Sequence, residues 1–294
     1  MPGFGEMMAL ATAIIWAVAV ILFKKSGEVV HPVGLNLFKD LLAVILLLPT
    51  LYLFGETLFY DAPAADYALL LFSGALGIGI SDTLLFMCLN RLGAGLTAIV
   101  DCFYAPSIIA LSIVWLGESL TFWQIIGTLM IISAIITAIE KDGAGTVKRK
   151  DLVLGVTYGI LAMLTVAVSI VAVKPLLERS PLFWVSEIRL LGGVIMLLII
   201  LLFHPERRKI SLSMISVERW GYTLSGSFVG AYVALVFWLA GMKFTQASTA
   251  AALNQTSSIF VFIFAYIFLK EPINLRRLLG IFLAVSGAFL VLFT

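Results

Sequence analysis

Ten stretches of this chain run for roughly 20 residues with hardly a charge, the length an α-helix needs to cross the hydrocarbon core of a bilayer. They cover 7–25, 33–54, 67–89, 94–115, 121–139, 152–174, 182–203, 220–242, 246–268 and 275–293. In hydrocarbon every backbone N–H and C=O must find a partner inside the protein, which leaves only helices and closed barrels. The runs are too long for barrel strands and do not alternate with period two, so the spans are expected to be helices. Composition agrees. Of 294 residues 62% are hydrophobic and 12% charged, about half the charged share of a soluble domain, and the mean hydropathy is +1.11. A water-soluble fold could not hide so much apolar surface. The start, MPGFGEMMALATAIIW, has no positive n-region and carries Glu6, so it reads as a retained first span rather than a signal peptide. The net charge of +2 gives no footprint for nucleic acid. Cys88 and Cys102 fall in apolar runs and read as small buried hydrophobes, and no metal spacing or cofactor motif is present.

The most polar connection, EKDGAGTVKRKD at 140–151, leaves five spans on each side. LGESLTFWQIIGTLMIISA (116–134) aligns with LKEPINLRRLLGIFLAVSG (269–287) at an offset of 153, pairing Glu118 with Glu271, Thr121 with Asn274 and Gly127 with Gly280. The same offset pairs Asp101 with Asn254. Nearer the start of each half an offset of 150 pairs Lys24 with Lys174 and Lys39 with Arg189. The expected organisation is therefore a first five-helix repeat at 1–140, a basic linker at 141–151 and a second repeat at 152–294. An odd number of spans per repeat turns the second copy over, giving an inverted-topology repeat around a central cavity. Glu118 and Glu271 precede helix starts, where unpaired amides and the helix dipole favour an anion. Thr121 and Asn274 are good N-cap residues, and Gln124 completes a capping box with Thr121. Capping and loop bracing are the expected role of all four.

Ten spans, two copies of a five-span unit, and LGE and LKE closing the fourth and ninth spans together resemble the drug/metabolite transporter superfamily, in its EamA-type ten-helix branch. The resemblance runs through essentially the whole chain. It implies a basket-like all-α bundle in which helices 1–4 and 6–9 surround a cavity while 5 and 10 brace it, and transport by alternating access. Members move amino acids, other small metabolites, drugs, nucleotide sugars or sugar phosphates. Lys39 and Arg189 fall where such proteins often carry an arginine early in the second helix of each half.

Of the nineteen Lys and Arg residues, fourteen lie on connections 1–2, 3–4, 5–6, 7–8 and 9–10, and three (Lys174, Arg179 and Lys243) on the other side. The positive-inside rule puts the fourteen in the cytoplasm. The expectation is a multi-pass protein of the cytoplasmic membrane with both termini outside.

Ionisable residues inside spans are costly and mark candidate sites. Here they are Lys39, Asp40, Asp82, Asp101, Glu187 and Arg189. Counting about 1.5 Å per residue puts Lys39, Asp82 and Asp101 at one level, about 10 Å from one face. Glu187 and Arg189, with Asn254 and Gln255, are expected in a matching layer near the opposite face. Lys39 can neutralise Asp82 or Asp101 and so fix packing. The carboxylate left over, with Asp101 as the first choice, can instead carry a proton, because a carboxyl moved out of water favours its neutral form. Asp40 is expected to face away or snorkel to the interface. Trp16, Phe86, Tyr104, Tyr232 and Trp238 are candidate ligand contacts, each also explicable as packing. Gly74, Gly77 and Gly79 read as hinges or as points of close helix approach.

A membrane-embedded enzyme is a remote alternative, since no HExxH, GxSxG or GxxxxGK[ST] pattern occurs. No filter-like segment suggests a channel. With two cations inside spans, a phosphate clamp is missing. The expected partners are the bilayer, protons as coupling ion and a neutral or zwitterionic metabolite, amino acids first, moved outward on the strength of the family resemblance. A proton-independent exchanger or facilitator of metabolites or drugs is the alternative. The oligomeric state is open, and a monomer suffices because one chain carries both repeats.

Overall fold

The computed structural model describes residues 3–116, 121–139, 148–215, 220–272 and 275–292, and among them all regular structure is helical. In chain order the long helices are α1 (Phe4–Ser26), α2 (Pro32–Leu53), α3 (Ala64–Leu92), α4 (Ala94–Asp101 continuing as Tyr104–Leu116), α5 (Phe122–Ile139), α6 (Arg149–Arg179), α7 (Leu182–Phe203), α8 (Trp220–Phe244), α9 (Ala247–Gln255 continuing as Ser257–Leu269) and α10 (Leu275–Leu292). Among the described residues eight of these helices are long and apolar enough to cross a membrane, and α5 and α10 contribute the shorter apolar stretches Ile125–Ala134 and Leu278–Gly287 and pack along one another. A short helix, Arg207–Ile215, caps the connection after α7.

Local chemistry sets the ends. Pro32 opens α2, where its missing N–H is no loss, and the His31 Nδ1 accepts the Val33 N–H at 3.3 Å. Gly93, at φ +81°, breaks the chain between α3 and α4. The Thr121 carbonyl accepts the Ile125 N–H at 3.3 Å, as the N-cap position of α5 requires. Glu118 and Asn274 lie outside the described residues.

The two halves of the chain interleave. α1 packs against α8 and α9, and α3 packs against α6 and α7. The α3–α7 crossing is close because Gly74 faces the Arg189 carbonyl: a Cβ built on Gly74 would stand 1.8 Å from that oxygen.

Two pairs of irregularities fall at matching places in the halves. α3 is π-helical over Ala75–Ile80 and α8 over Ser227–Ala234. The Asn36 amide donates to the Ile78 and Gly79 carbonyls at 2.9 and 3.0 Å, tying α2 to the wide turn. α4 is interrupted after Asp101 and α9 at Thr256, where the backbone tightens into i→i+3 bonds. π-turns and broken helices inside a membrane bundle are where binding sites are commonly built.

Candidate functional site

A cavity of about 150 Å³ lies where these irregularities meet. Side chains of α1–α4 and α6–α9 line it, and none of α5 or α10 does. Its walls differ in chemistry. Lys39, Asp40, Asp82 and Asp101 come from the first half. Leu190 and Leu235 stand where the repeat pairs them with Asp40 and Asp82, and Asn254 stands where it pairs with Asp101.

Lys39 and Asp40 are fully buried, and the Lys39 ammonium lies 2.5 Å from Asp40 Oδ1 and 2.8 Å from Asp82 Oδ2. Asp82, 22% exposed, presents its other edge to the cavity. Asp101 sits at the break in α4 with the Gln255 side chain within hydrogen-bonding reach from the break in α9. Gln255 also donates to Ser258 Oγ at 2.8 Å. The Tyr104 hydroxyl and both polar atoms of the Asn254 amide line the cavity without a hydrogen-bond partner. Trp16 and Trp238 supply aromatic wall.

A bundle of apolar helices around a cavity that holds buried charges is a transporter-like arrangement, and sequence comparison decides its family. The model of the EamA-like transporter family matches residues 3–139 and 153–293. The chain belongs to the EamA-like transporter family. A protein of Archaeoglobus fulgidus named as an uncharacterized transporter is 26% identical over 97% of both chains. The Bacillus subtilis uncharacterized transporter YetK is 30% identical over 52% of this chain and 44% of its own. A solved crystal structure shares the fold with a TM-score of 0.71 at 16% identity, covering 97% of this chain and 95% of its own.

Within this EamA-like bundle the candidates separate. Trp16, Lys39, Asp82, Asp101, Tyr104, Trp238, Asn254 and Gln255 line the cavity. Four do not. Phe86 packs on Phe23 at 5.0 Å in a narrow cleft of about 20 Å³ beside the cavity, which shares Trp16, Leu85 and Asp101 with it. Tyr232 bonds Thr50 Oγ1 at 2.6 Å. Glu187 is buried with Oε2 unpartnered, and Arg189 lies behind the wall. Asn254 and Gln255 were expected in a separate layer. They share the Asp101 level instead, because the two breaks face each other across one cavity.

Two expectations are corrected. Asp40 does not face away: it is the closer of the two acids on Lys39. Among the described residues Glu271 braces a helix start of the other half. Its two oxygens accept the Ala94 and Gly95 N–H groups at 2.7 and 2.9 Å, capping α4 of the other half. Thr12, Met163 and Ser257 also line the cavity. In the sequence Ser257 lies three residues beyond Asn254, the repeat partner of Asp101; nothing marked Thr12 or Met163.

Proposed function

We propose that this EamA-like transporter is a secondary active carrier of the cytoplasmic membrane. It moves a small neutral or zwitterionic metabolite, an amino acid first, outward by alternating access of two inverted repeats, 1–140 and 152–294, joined by 141–151. The observation that carries the reading is the charge balance of the cavity. Lys39 is already engaged by Asp40 and Asp82, so Asp101 is left with an amide and no cation within ion-pair distance among the described residues. Such a carboxyl can take up and release a proton as access to water alternates, or meet a substrate ammonium. The volume supports a small substrate: about 150 Å³ is well below the ~300–1,000 Å³ of sites for drug-sized ligands. Charged and amide groups beside Leu190, Leu235 and the two indoles suit a molecule with both charged and apolar parts.

The test is transport of radiolabelled amino acids by proteoliposomes, with and without an imposed pH gradient. Saturable, gradient-driven accumulation is expected, and Asp101→Asn is expected to transport without responding to the gradient. Saturable exchange that ignores the gradient in the unaltered protein would make it a proton-independent exchanger. Unaltered gradient dependence in the Asp101→Asn protein would remove Asp101 from proton coupling. The expected orientation fails if cysteines placed in 141–151 are labelled from outside the cell.

A further inference from the structure

Arg189 is wholly buried on α7, next to Leu190 in the cavity wall. A guanidinium carries five N–H donors and does not discharge in a protein. Here Nη2 donates to Ser169 Oγ at 3.0 Å, while Nε and Nη1 have no partner. No carboxylate pairs with Arg189 among the described residues, although three stand in the adjoining cavity and two of those are committed to Lys39. Buried charges are normally paired or neutralised by a ligand, and each unsatisfied buried polar group in a native fold calls for a reason.

Position supplies one. The guanidinium carbon lies 5.5 Å from the centre of the Trp238 ring, and that ring is cavity wall. Gly77, on the π-turn of α3, also lines the cavity; a Cβ built there would stand 3.4 Å from Arg189 Nη2 and 2.1 Å from Ser169 Oγ. The absent side chain is what makes room for Ser169, the residue that holds Nη2. The same cavity is lined by Tyr104 and Asn254, whose hydroxyl and amide make no hydrogen bond of ordinary geometry to another group among the described residues. Nη2 has a second N–H besides the one on Ser169, and with the Nε or Nη1 donor beside it one edge of the guanidinium offers two parallel N–H groups to a planar anion, the pairing by which Arg meets a carboxylate.

We propose that Arg189 is a carboxylate subsite closed by Trp238: when the indole swings off the guanidinium, its free N–H edge faces the cavity and binds the carboxylate of the substrate. This deepens the proposed function and rests on it, giving the zwitterion two poles, its ammonium toward Asp101 and its carboxylate toward Arg189. Ser169 holds the guanidinium in place, the Tyr104 hydroxyl, within reach of the Trp238 indole, is released when that ring moves, and Asn254 gains a partner when the anion arrives.

The test compares binding of matched acids and carboxamides to the full chain in lipid nanodiscs, read by tryptophan fluorescence. The probes are phenylalanine with phenylalaninamide, leucine with leucinamide, and phenylpropionate with phenylpropionamide. Each acid is expected to bind tighter than its amide by on the order of tenfold or more, the worth of hydrogen bonds to a charged group. Arg189→Gln is expected to bring that ratio close to one, with Arg189→Lys in between. Acid preference that survives Arg189→Gln, or no acid preference in any pair of the unaltered protein, overturns the subsite. Acid preference in the phenylpropionate pair without a gain from the ammonium would keep the subsite and remove the amino-acid reading. Where Arg189→Gln fails to fold, the unaltered protein answers through phenylglyoxal modification of Arg189, mapped by mass spectrometry. Protection by phenylpropionate and not by its amide is expected. Equal protection by both, or no reaction at Arg189, overturns the proposal.

Discussion

Lys39 holds the first-half wall together through one ammonium shared by Asp40 and Asp82. Removing one partner of a buried ion pair strands the other and costs about 3–5 kcal/mol. Lys39→Met is therefore expected to lower thermal stability in detergent by about that amount, and Lys39→Met with Asp40→Asn to recover part of it; a Lys39→Met protein as stable as the unaltered one would mean that the triad does not hold α2 to α3. The triad also marks what could be read in advance. Lys39, Asp82 and Asp101 stood out because each interrupts an apolar run and depth can be counted along a helix. Asp40 was misread because adjacent helical positions point about 100° apart, while the long lysine stem lets Lys39 reach round to its neighbour. Arg189 was legible as a charge in a span, but its place behind Trp238 was not: a helix apolar on all sides gives no azimuth.

Glu271 shows the same limit at the level of helices. Its recurrence with Glu118 marked a seam and a capping role, yet the helix it caps belongs to the other half, a tertiary pairing that spacing cannot supply. Glu271→Ala removes two charge-assisted acceptors from the first turn of α4 and is expected to cost about 1–2 kcal/mol, measured by denaturation in mixed micelles; loss of less than a few tenths would rank this cap as incidental. Because α4 carries Asp101 at its break, transport is expected to weaken with it. His31 caps α2 through Nδ1, which protonation would turn from acceptor to donor. The His204 ring stands 5.7 Å away, with Glu206 and Lys209 facing the pair and Ser213 on the His31 amide. Partial burial, then the neighbouring His204, hold the His31 pKa below its usual 6.5. The unfolded chain then binds the proton more readily, so this contribution to stability is full above pH 6.5 and falls as pH drops from there toward the folded value. His31→Asn keeps a cap without the titration, and its melting temperature is expected to be flatter than that of the unaltered protein over this window; parallel curves would assign the pH response elsewhere.

For the whole molecule, the apolar spans were legible because lipid demands long apolar helices, and the helices that line the cavity are those the family resemblance implies, whereas the contacts on either side of the cavity depend on tertiary packing. Those contacts differ in balance. Toward the ends of α1 and α3 that carry Lys24, Lys25 and Arg91, the Phe23 and Phe86 rings meet with Val20, Leu89 and Val261 around them, beside the Ser26–Thr223 hydroxyl pair and the Glu271 cap on α4. Toward the other ends, beside the Phe4–Phe244 ring pair, polar contacts are more numerous: Lys174 donates to the Met242 and Thr245 carbonyls, Lys243 donates to the Ser180 carbonyl, and Glu6 accepts the Thr245 hydroxyl at 2.9 Å. Opening the polar side exchanges these bonds for bonds to water, with a small net change for each; opening the apolar side wets ring surface at a cost proportional to its area. The two sides should therefore respond oppositely to mutation. In a background with Cys88 and Cys102 replaced, a Ser257→Cys reporter in the cavity can be labelled with a membrane-impermeant thiol reagent offered from each face. Lys174→Met is expected to speed labelling from the Lys174 face several-fold and slow it from the other, and Phe86→Ala to do the reverse. Labelling that rises from both faces together in either variant would describe a leaking bundle, and rates that do not move would show that these contacts are packing rather than gates.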